Sequence, residues 1–288
     1  MRARSGGWLV SPVVTARVLS IAGSDSGGGA GIQADLKALA RCGVHGMTAI
    51  TAITAQNTVE VSAVLPVSPE MIVAQVRAVA SDIGIDAVKV GMLGDEPTIA
   101  AVLESLELLD PGTPVVVDPV MVAESGAVLL APGARAALAK DLLPRATVVT
   151  PNLAEARVLA PPGGSEPSDA EGDEAQSLAR AVLALGPRIV VVTGGHRESA
   201  TDVFHDGERM EEIPGRRFPD GAAHGSGCTH SSALAAHLAL GAAPLEAARR
   251  ARAIAGEAVR DGLRGLGAGP GPVNVLGLGR VTAAEPLP

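Results

Sequence analysis

From residue 17 onward, short runs of continuous apolar residues alternate with longer stretches in which apolar side chains recur every third or fourth position. The runs at 18–22, 47–54, 87–91, 115–118, 147–150 and 188–193 lack the in-and-out alternation of a half-exposed strand. They predict central parallel strands covered on both faces. The stretches between them, 31–42, 68–81, 96–109, 132–142, 152–159 and 174–185, carry helical spacing and read as the crossovers. Beyond residue 193, two strand candidates at 201–205 and 210–213 flank Asp206-Gly207, a hairpin signal, and predict an antiparallel edge. Helical stretches at 226–240 and 244–261 follow, then a Gly- and Pro-rich tail from Gly262. The expectation is an α/β fold with a mostly parallel central sheet and a short antiparallel edge. Segment 161–173 is linker-like in composition but reads as a surface loop, because the same rhythm resumes after it. Residues 17–275 are therefore expected to form one domain, between a flexible extension at 1–16 and a tail at 276–288.

Composition narrows the chemistry. A net charge of −8 over 288 residues argues against nucleic acid as a general partner. With Trp8, Phe204 and Phe218 as the whole aromatic complement, base stacking has no platform either. No apolar run approaches the roughly 18–20 residues of a membrane helix. Cys42 and Cys228 make no disulfide framework and no zinc-ligand spacing, which suits a reducing cytoplasm.

In a doubly wound sheet, ligands bind beyond the carboxyl ends of the strands. Five predicted ends are unusual. The first, Ala22 to Gly31, is glycine-rich and opens into a helix, so its backbone can approach a ligand closely. It fits neither the Gly-x-Gly-x-x-Gly register nor a Walker loop, since Lys37 comes well after the glycines. The second holds Gln56 and Asn57, whose amides can face a small planar ligand, although the local pattern favours a turn closed by the Asn57 side chain. At the third, Asp118 can hold Mg²⁺ or its water shell, or cap the next segment. At the fourth, Asn152 and Glu155 have capping-box spacing, and beside Asp118 they make the two-carboxylate setting that Mg²⁺ with phosphates prefers. The fifth, His224-Gly225-Ser226-Gly227-Cys228-Thr229 before an apolar helix, predicts amides converging on an anion at a helix N-terminus. The field there is expected to lower the Cys228 pKa and make it a base or polar anchor; a buried, inert cysteine is the other reading.

Together these segments resemble the ribokinase-like superfamily, and within it the hydroxymethylpyrimidine/phosphomethylpyrimidine kinases of thiamine biosynthesis. The resemblance runs from about Val18 to Asn274. Its blocks appear in order: Ala-Gly-Ser-Asp and the loop to Lys37, Thr54 to Thr58, Lys89 to Leu93, Asp118 to Val122, Thr150 to Leu153, Gly194 to His196, Gly225 to Thr229 and Gly271 to Asn274. It implies a three-layer α/β/α kinase, cytoplasmic and homodimeric. The implied reaction is ATP-dependent phosphorylation of 4-amino-5-hydroxymethyl-2-methylpyrimidine to the monophosphate and then the diphosphate. It further implies that Asp25 and Gln56 bind the aminopyrimidine, with Gly23, Met92 and Val120 lining the pocket. Asp118 and Glu155 would organise Mg²⁺ through water, with Asn152, Thr193 and Gly195 on the ATP side. Gly225, Ser226, Gly227 and Cys228 would form the anion hole, with Cys228 standing where sugar kinases of the superfamily place an aspartate base.

Three departures stand out. Thr193 occupies a position where many members carry a phosphate-contacting lysine, which leaves Arg197 as the substitute cation. Glu124 also stands where lysine is usual. Ser26-Gly27 replaces Pro-Ser or Ser-Ser, which predicts a more flexible loop. Two rivals follow: a pyridoxal kinase of the same superfamily, and a catalytically silent pyrimidine-binding protein.

Overall fold

The computed structural model describes residues 15–123, 125–160, 171–195, 200–219 and 221–279. Its strands are β1 (Arg17–Asp25), β2 (His45–Gln56), β3 (Val61–Pro66), β4 (Ala87–Val90), β5 (Val115–Val117), β6 (Val148–Val149), β7 (Ile189–Val192), β8 (Asp202–His205) and β9 (Met210–Ile213). The helices are α1 (Gly31–Arg41), α2 (Pro69–Asp82), α3 (Glu96–Leu106), α4 (Ala134–Ala137), α5 (Leu153–Leu159), α6 (Glu171–Leu183), α7 (Ser226–Ala239) and α8 (Pro244–Arg260). Among the described residues the strands form one sheet in the order β3-β2-β1-β4-β5-β6-β7-β8-β9. The five pairings from β2 through β1 to β7 are parallel, whereas β3, β8 and β9 are antiparallel.

Each central strand feeds two cores, the signature of a sheet covered on both faces. Leu19 and Ile21, Val115 and Val117, and Val190 and Val192 pack against α2 to α6. Val18, Val116, Ile189 and Val191 pack on the other face against α1, α7 and α8. On that second face Ala233, Leu234, Ala235 and Ala236 are all buried, so α7 is enclosed on every side and its alanines allow close approach. The N-terminus of α7 is thereby held rigidly at the end of the sheet.

Two differences from the sequence reading have physical causes. An antiparallel edge occurs on both sides, because β3 was not legible: five of its six residues are exposed, so no buried face imposes a pattern. The stretch 132–142 is a short α4 that continues as a wider π turn, Leu138–Leu142. The predicted extension and loop fall mostly outside the described residues. In the tail, Val273 and Val275 are buried against Ala38 and Ala258. No helix among the described residues is long and apolar enough to cross a membrane.

Candidate active site

The chain reverses direction across the sheet at β1, which has β2 on one side and β4 on the other, and this opens a crevice at their carboxyl ends. A cleft of about 370 Å³ lies there, lined by the ends of β1, β2, β4, β5, β6 and β7 and by the start of α7.

Asp25, at the end of β1, organises the glycine loop. Its carboxylate accepts the backbone N–H of Gly27 at 2.8 Å, Gly29 at 3.1 Å and Ala30 at 2.8 Å, and His224 Nε2 donates to Oδ2 at 3.2 Å. Burial alone would raise its pKa, yet His224 and the amides hold the carboxyl below its usual value. Oδ2 is thus filled by the protein, while Oδ1, which accepts from Gly27 alone, keeps a lone pair, so Asp25 fixes the loop and still lines the cleft. The loop is also tied across to β2, since the Ser26 hydroxyl donates to the Gln56 carbonyl at 2.7 Å and accepts the Gln56 N–H. The slack expected from Ser26-Gly27 is therefore absent. His224, which carried no individual role in the sequence reading, closes the ring. The imidazole sits so close that a Cβ on Gly29 would fall 2.1 Å from its Cδ2.

On the β2 side, Thr54 donates to Gln56 Oε1 at 3.1 Å, while the Gln56 amide nitrogen is unengaged. Gly23 packs against the Met92 sulfur, and Val120 completes the wall. Asn57 closes a turn through its own side chain, accepting from Val59 and Glu60.

Below the cleft floor lies a charge cluster that no local pattern announced. Lys89 is fully buried, 2.9 Å from Asp35 Oδ1 and 3.9 Å from Asp118 Oδ2. Ser20 and Ser232 donate to Asp35 at 2.6 and 2.8 Å. Burial works against the ammonium, but Asp35 and Asp118 outweigh it and raise its pKa. Asp118 also accepts from Ser231 at 2.9 Å; burial pushes its pKa up, with Lys89 and Ser231 opposing.

The fourth strand end is a complete capping box. Asn152 Oδ1 accepts Glu155 N–H and Glu155 Oε2 accepts Asn152 N–H, both at 2.9 Å. The Asn152 side chain keeps its amide donors for the cleft. Glu155 is pushed up to about 8 by burial and by the neighbouring Asp118 charge. Thr150 Oγ1, beside this pair, is buried with no hydrogen-bond partner. Two mutually repelling carboxylates and an orphaned hydroxyl fit a hydrated divalent cation. Among the described residues no cluster of three or more metal-ligating side chains is present.

At the start of α7, Gly225 adopts φ +84°, and a Cβ there would fall 1.8 Å from the Gly29 carbonyl oxygen. The Ser226 N–H donates to the Ala223 carbonyl at 2.9 Å and so drops out of the predicted anion hole. Among the described residues the Gly227 and Cys228 amides have no backbone partner, as expected in the first turn of a helix. The expected lowering of Cys228 is reversed. Burial pushes the thiol up to about 12, and Asp35 and Asp118 add to this while Lys89 opposes it. Desolvation and like charge outweigh the helix field here.

Thr193 and Gly195 line the opposite wall, with Gly194 N–H held by Asp202 Oδ1 at 2.7 Å. Arg197 and Glu124 lie outside the described residues. The same wall carries Arg216, Arg217 and Arg252, which the sequence reading did not single out.

Residues 25–274 match the family model for phosphomethylpyrimidine kinase. The chain is 48% identical over 266 residues to the hydroxymethylpyrimidine/phosphomethylpyrimidine kinase of Rhizobium meliloti, covering 91% of this chain and 97% of that one. It is 43% identical over 266 residues to the thiamine biosynthesis bifunctional protein of Geobacter sulfurreducens, covering 92% of this chain and 53% of the longer protein. Among solved structures it is similar to the pyridoxal kinase of Staphylococcus aureus in complex with AMP-PCP and pyridoxal. There the TM-score is 0.81 at 35% identity, over 93% of this chain and 96% of that one.

Proposed function

The chain belongs to the phosphomethylpyrimidine kinase family, and from that premise we propose how its cleft carries out two successive phosphoryl transfers from ATP. The first is to the hydroxymethyl oxygen of 4-amino-5-hydroxymethyl-2-methylpyrimidine. The second is to the resulting monophosphate, which yields the diphosphate for thiamine biosynthesis. The observation that carries this reading is the free pair of amides at Gly227 and Cys228, set in one cleft with the Asp118–Glu155 pair. In each step an acceptor oxygen forms a bond to the γ-phosphorus as the bond to ADP breaks. In the first step the hydroxyl proton passes to Cys228 as its thiolate, whereas the monophosphate acceptor, largely a dianion near neutral pH, has no proton to lose. Charge grows on the equatorial oxygens of the transferring group, and two fixed N–H dipoles at a helix N-terminus stabilise it.

The pyrimidine sits between Gln56, whose amide nitrogen is open, and the wall of Gly23, Met92 and Val120. Asp25 shapes this half by holding the glycine loop. Asn152 donates toward the triphosphate, beside Thr193 and Gly195. Asp118 and Glu155 would hold Mg²⁺ through its water shell, and the ion would supply neutralisation of phosphate charge. Cys228 faces the acceptor oxygen and rests as a thiol, so its minor thiolate form is the base, and it takes the hydroxyl proton late, as a loose transition state permits. Cys228→Ala is expected to lower kcat about 100-fold with little change in KM. Because a base must first lose its own proton, the unmodified rate should still climb with pH above about 9, where the Glu155 carboxyl is already ionised, and the variant should lose that upper slope. Full turnover by the variant would remove the base role.

The deciding experiment is ATP consumption by the purified protein with Mg²⁺ and, in parallel, the pyrimidine, its monophosphate and pyridoxal, with products resolved by mass. Pyrimidine diphosphate is the expected product. Turnover of pyridoxal alone would favour the rival suggested by the S. aureus structure, and binding without turnover would mean a silent protein.

Two accompanying readings concern context. The free thiols of Cys42 and Cys228 suit the cytoplasm. A homodimer is supported by the β2–β3 hairpin, where Ile53 and Leu65 pair across the strands and are 49% and 65% exposed. Sedimentation should give twice the chain mass, and Ile53→Asp with Leu65→Asp should halve it. A monomer before substitution would rule the dimer out.

A further inference from the structure

Phosphate groups entering this cleft need cations, and of the four lysine and arginine residues lining it two are already engaged. Lys89 is locked to Asp35 and Asp118. Arg252 donates to the Ala200 carbonyl at 2.6 Å and lies 3.6 Å from Asp202 Oδ1. That leaves Arg216 and Arg217, on the segment between β9 and α7. Both side chains line the cleft that holds the Gly227 and Cys228 amides and Asn152. Neither makes a hydrogen bond or ion pair among the described residues, and Arg216 rests 5.6 Å over the Phe218 ring.

The backbone that presents them is braced. Gly215 lies against the Arg252 guanidinium, where a Cβ would fall 1.9 Å from Nη2, and Gly221 lies against Val259 Cγ1 at 2.6 Å by the same measure. Gly221 N–H donates to the Phe218 carbonyl at 2.9 Å. Behind this, Ala200 holds a φ of +47°, a strained conformation for a residue with a Cβ, and its carbonyl is the one Arg252 grips. Side-chain anchoring thus holds a segment whose two guanidinium heads make no hydrogen bond or ion pair among the described residues, Arg216 keeping only its stacking on Phe218.

We propose that Arg216 and Arg217 are phosphate-binding residues of this cleft. A guanidinium offers a planar fork that matches two phosphate oxygens, and it complements the single-point donors at Gly227 and Cys228. This rests on the kinase reading, under which two phosphate sources reach the cleft. One is the polyphosphate of ATP, present in both steps; the other is the monophosphate of the intermediate, present only as acceptor in the second.

The test compares Arg216→Ala, Arg217→Ala and the double variant with the unmodified protein. Steady-state constants are taken for each step, alongside equilibrium binding of ATP, adenosine and the monophosphate. Each single change should raise the relevant KM about threefold to tenfold and the double change about 30-fold. Adenosine affinity and thermal midpoint should be unchanged, and Arg→Lys should restore part of the loss. A rise in KM for ATP in both steps assigns the pair to the donor; a rise for the monophosphate alone assigns it to the acceptor. If the double variant binds ATP and the monophosphate within about twofold of the unmodified protein, the proposal is wrong. Failure of the kinase reading would look different: the unmodified protein would turn over no pyrimidine, while the binding comparison would still decide the role of the arginines.

Discussion

Replacing Lys89 with methionine is expected to lower the unfolding free energy by about 3–5 kcal/mol, because removing one partner of a buried ion pair leaves the other charge uncompensated. Lys89 and Asp35 are both inaccessible to solvent, and Asp35 keeps only the Ser20 and Ser232 hydroxyls once the ammonium is gone. The double change Lys89→Met with Asp35→Leu should recover much of the loss, since an apolar pair of similar volume avoids the desolvation cost. Urea titration of the three proteins measures this. A single variant within about 1 kcal/mol of the unmodified chain would mean that the buried pair contributes little net stability. The same substitution removes a positive charge near Cys228, the main influence that opposes the raised thiol pKa.

Gly225→Ala should lower kcat by about 100- to 1,000-fold, the range seen when a preorganised oxyanion donor is lost. Two independent costs fall on one methyl group. The backbone at φ +84° disfavours any residue with a Cβ, and the methyl would meet the Gly29 carbonyl at 1.8 Å, a backbone atom that cannot swing aside like a side chain. Relief requires the glycine loop and the start of α7 to part. That displaces the Gly227 and Cys228 amides and breaks the His224–Asp25 contact together. Because Gly225 sits at a helix end rather than in the core, the protein should stay folded, so circular dichroism should be near normal while turnover collapses. Turnover within tenfold of the unmodified protein would show that the junction yields without cost and that the amides are not the principal stabilising element.

Both predictions depend on contacts between distant parts of the chain, which marks the limit of what the linear pattern reveals. The Lys89 run reads simply as an apolar strand. Its one charged residue gains meaning only because Asp35, from α1, and Asp118, after β5, are brought to it. Asp25 was legible as a strand-end acid, but the four donors that occupy it come from the loop and from His224, 199 positions away. Ser226 looked like one more amide of the anion hole until the turn to Ala223 claimed it.

The sequence by itself determined the layered α/β order, the parallel strands covered on both faces, the hairpin at Asp206-Gly207 and the glycine positions where the backbone must turn. Periodicity and turn chemistry are local, so neighbouring residues suffice to express them. Only the tertiary structure decided that a second antiparallel edge exists at β3, that the Cys228 thiol is pushed up rather than down, that His224 closes on Asp25, and that Arg216 and Arg217 line the cleft. Burial and charge depend on what surrounds a group in space, and no local pattern carries that information.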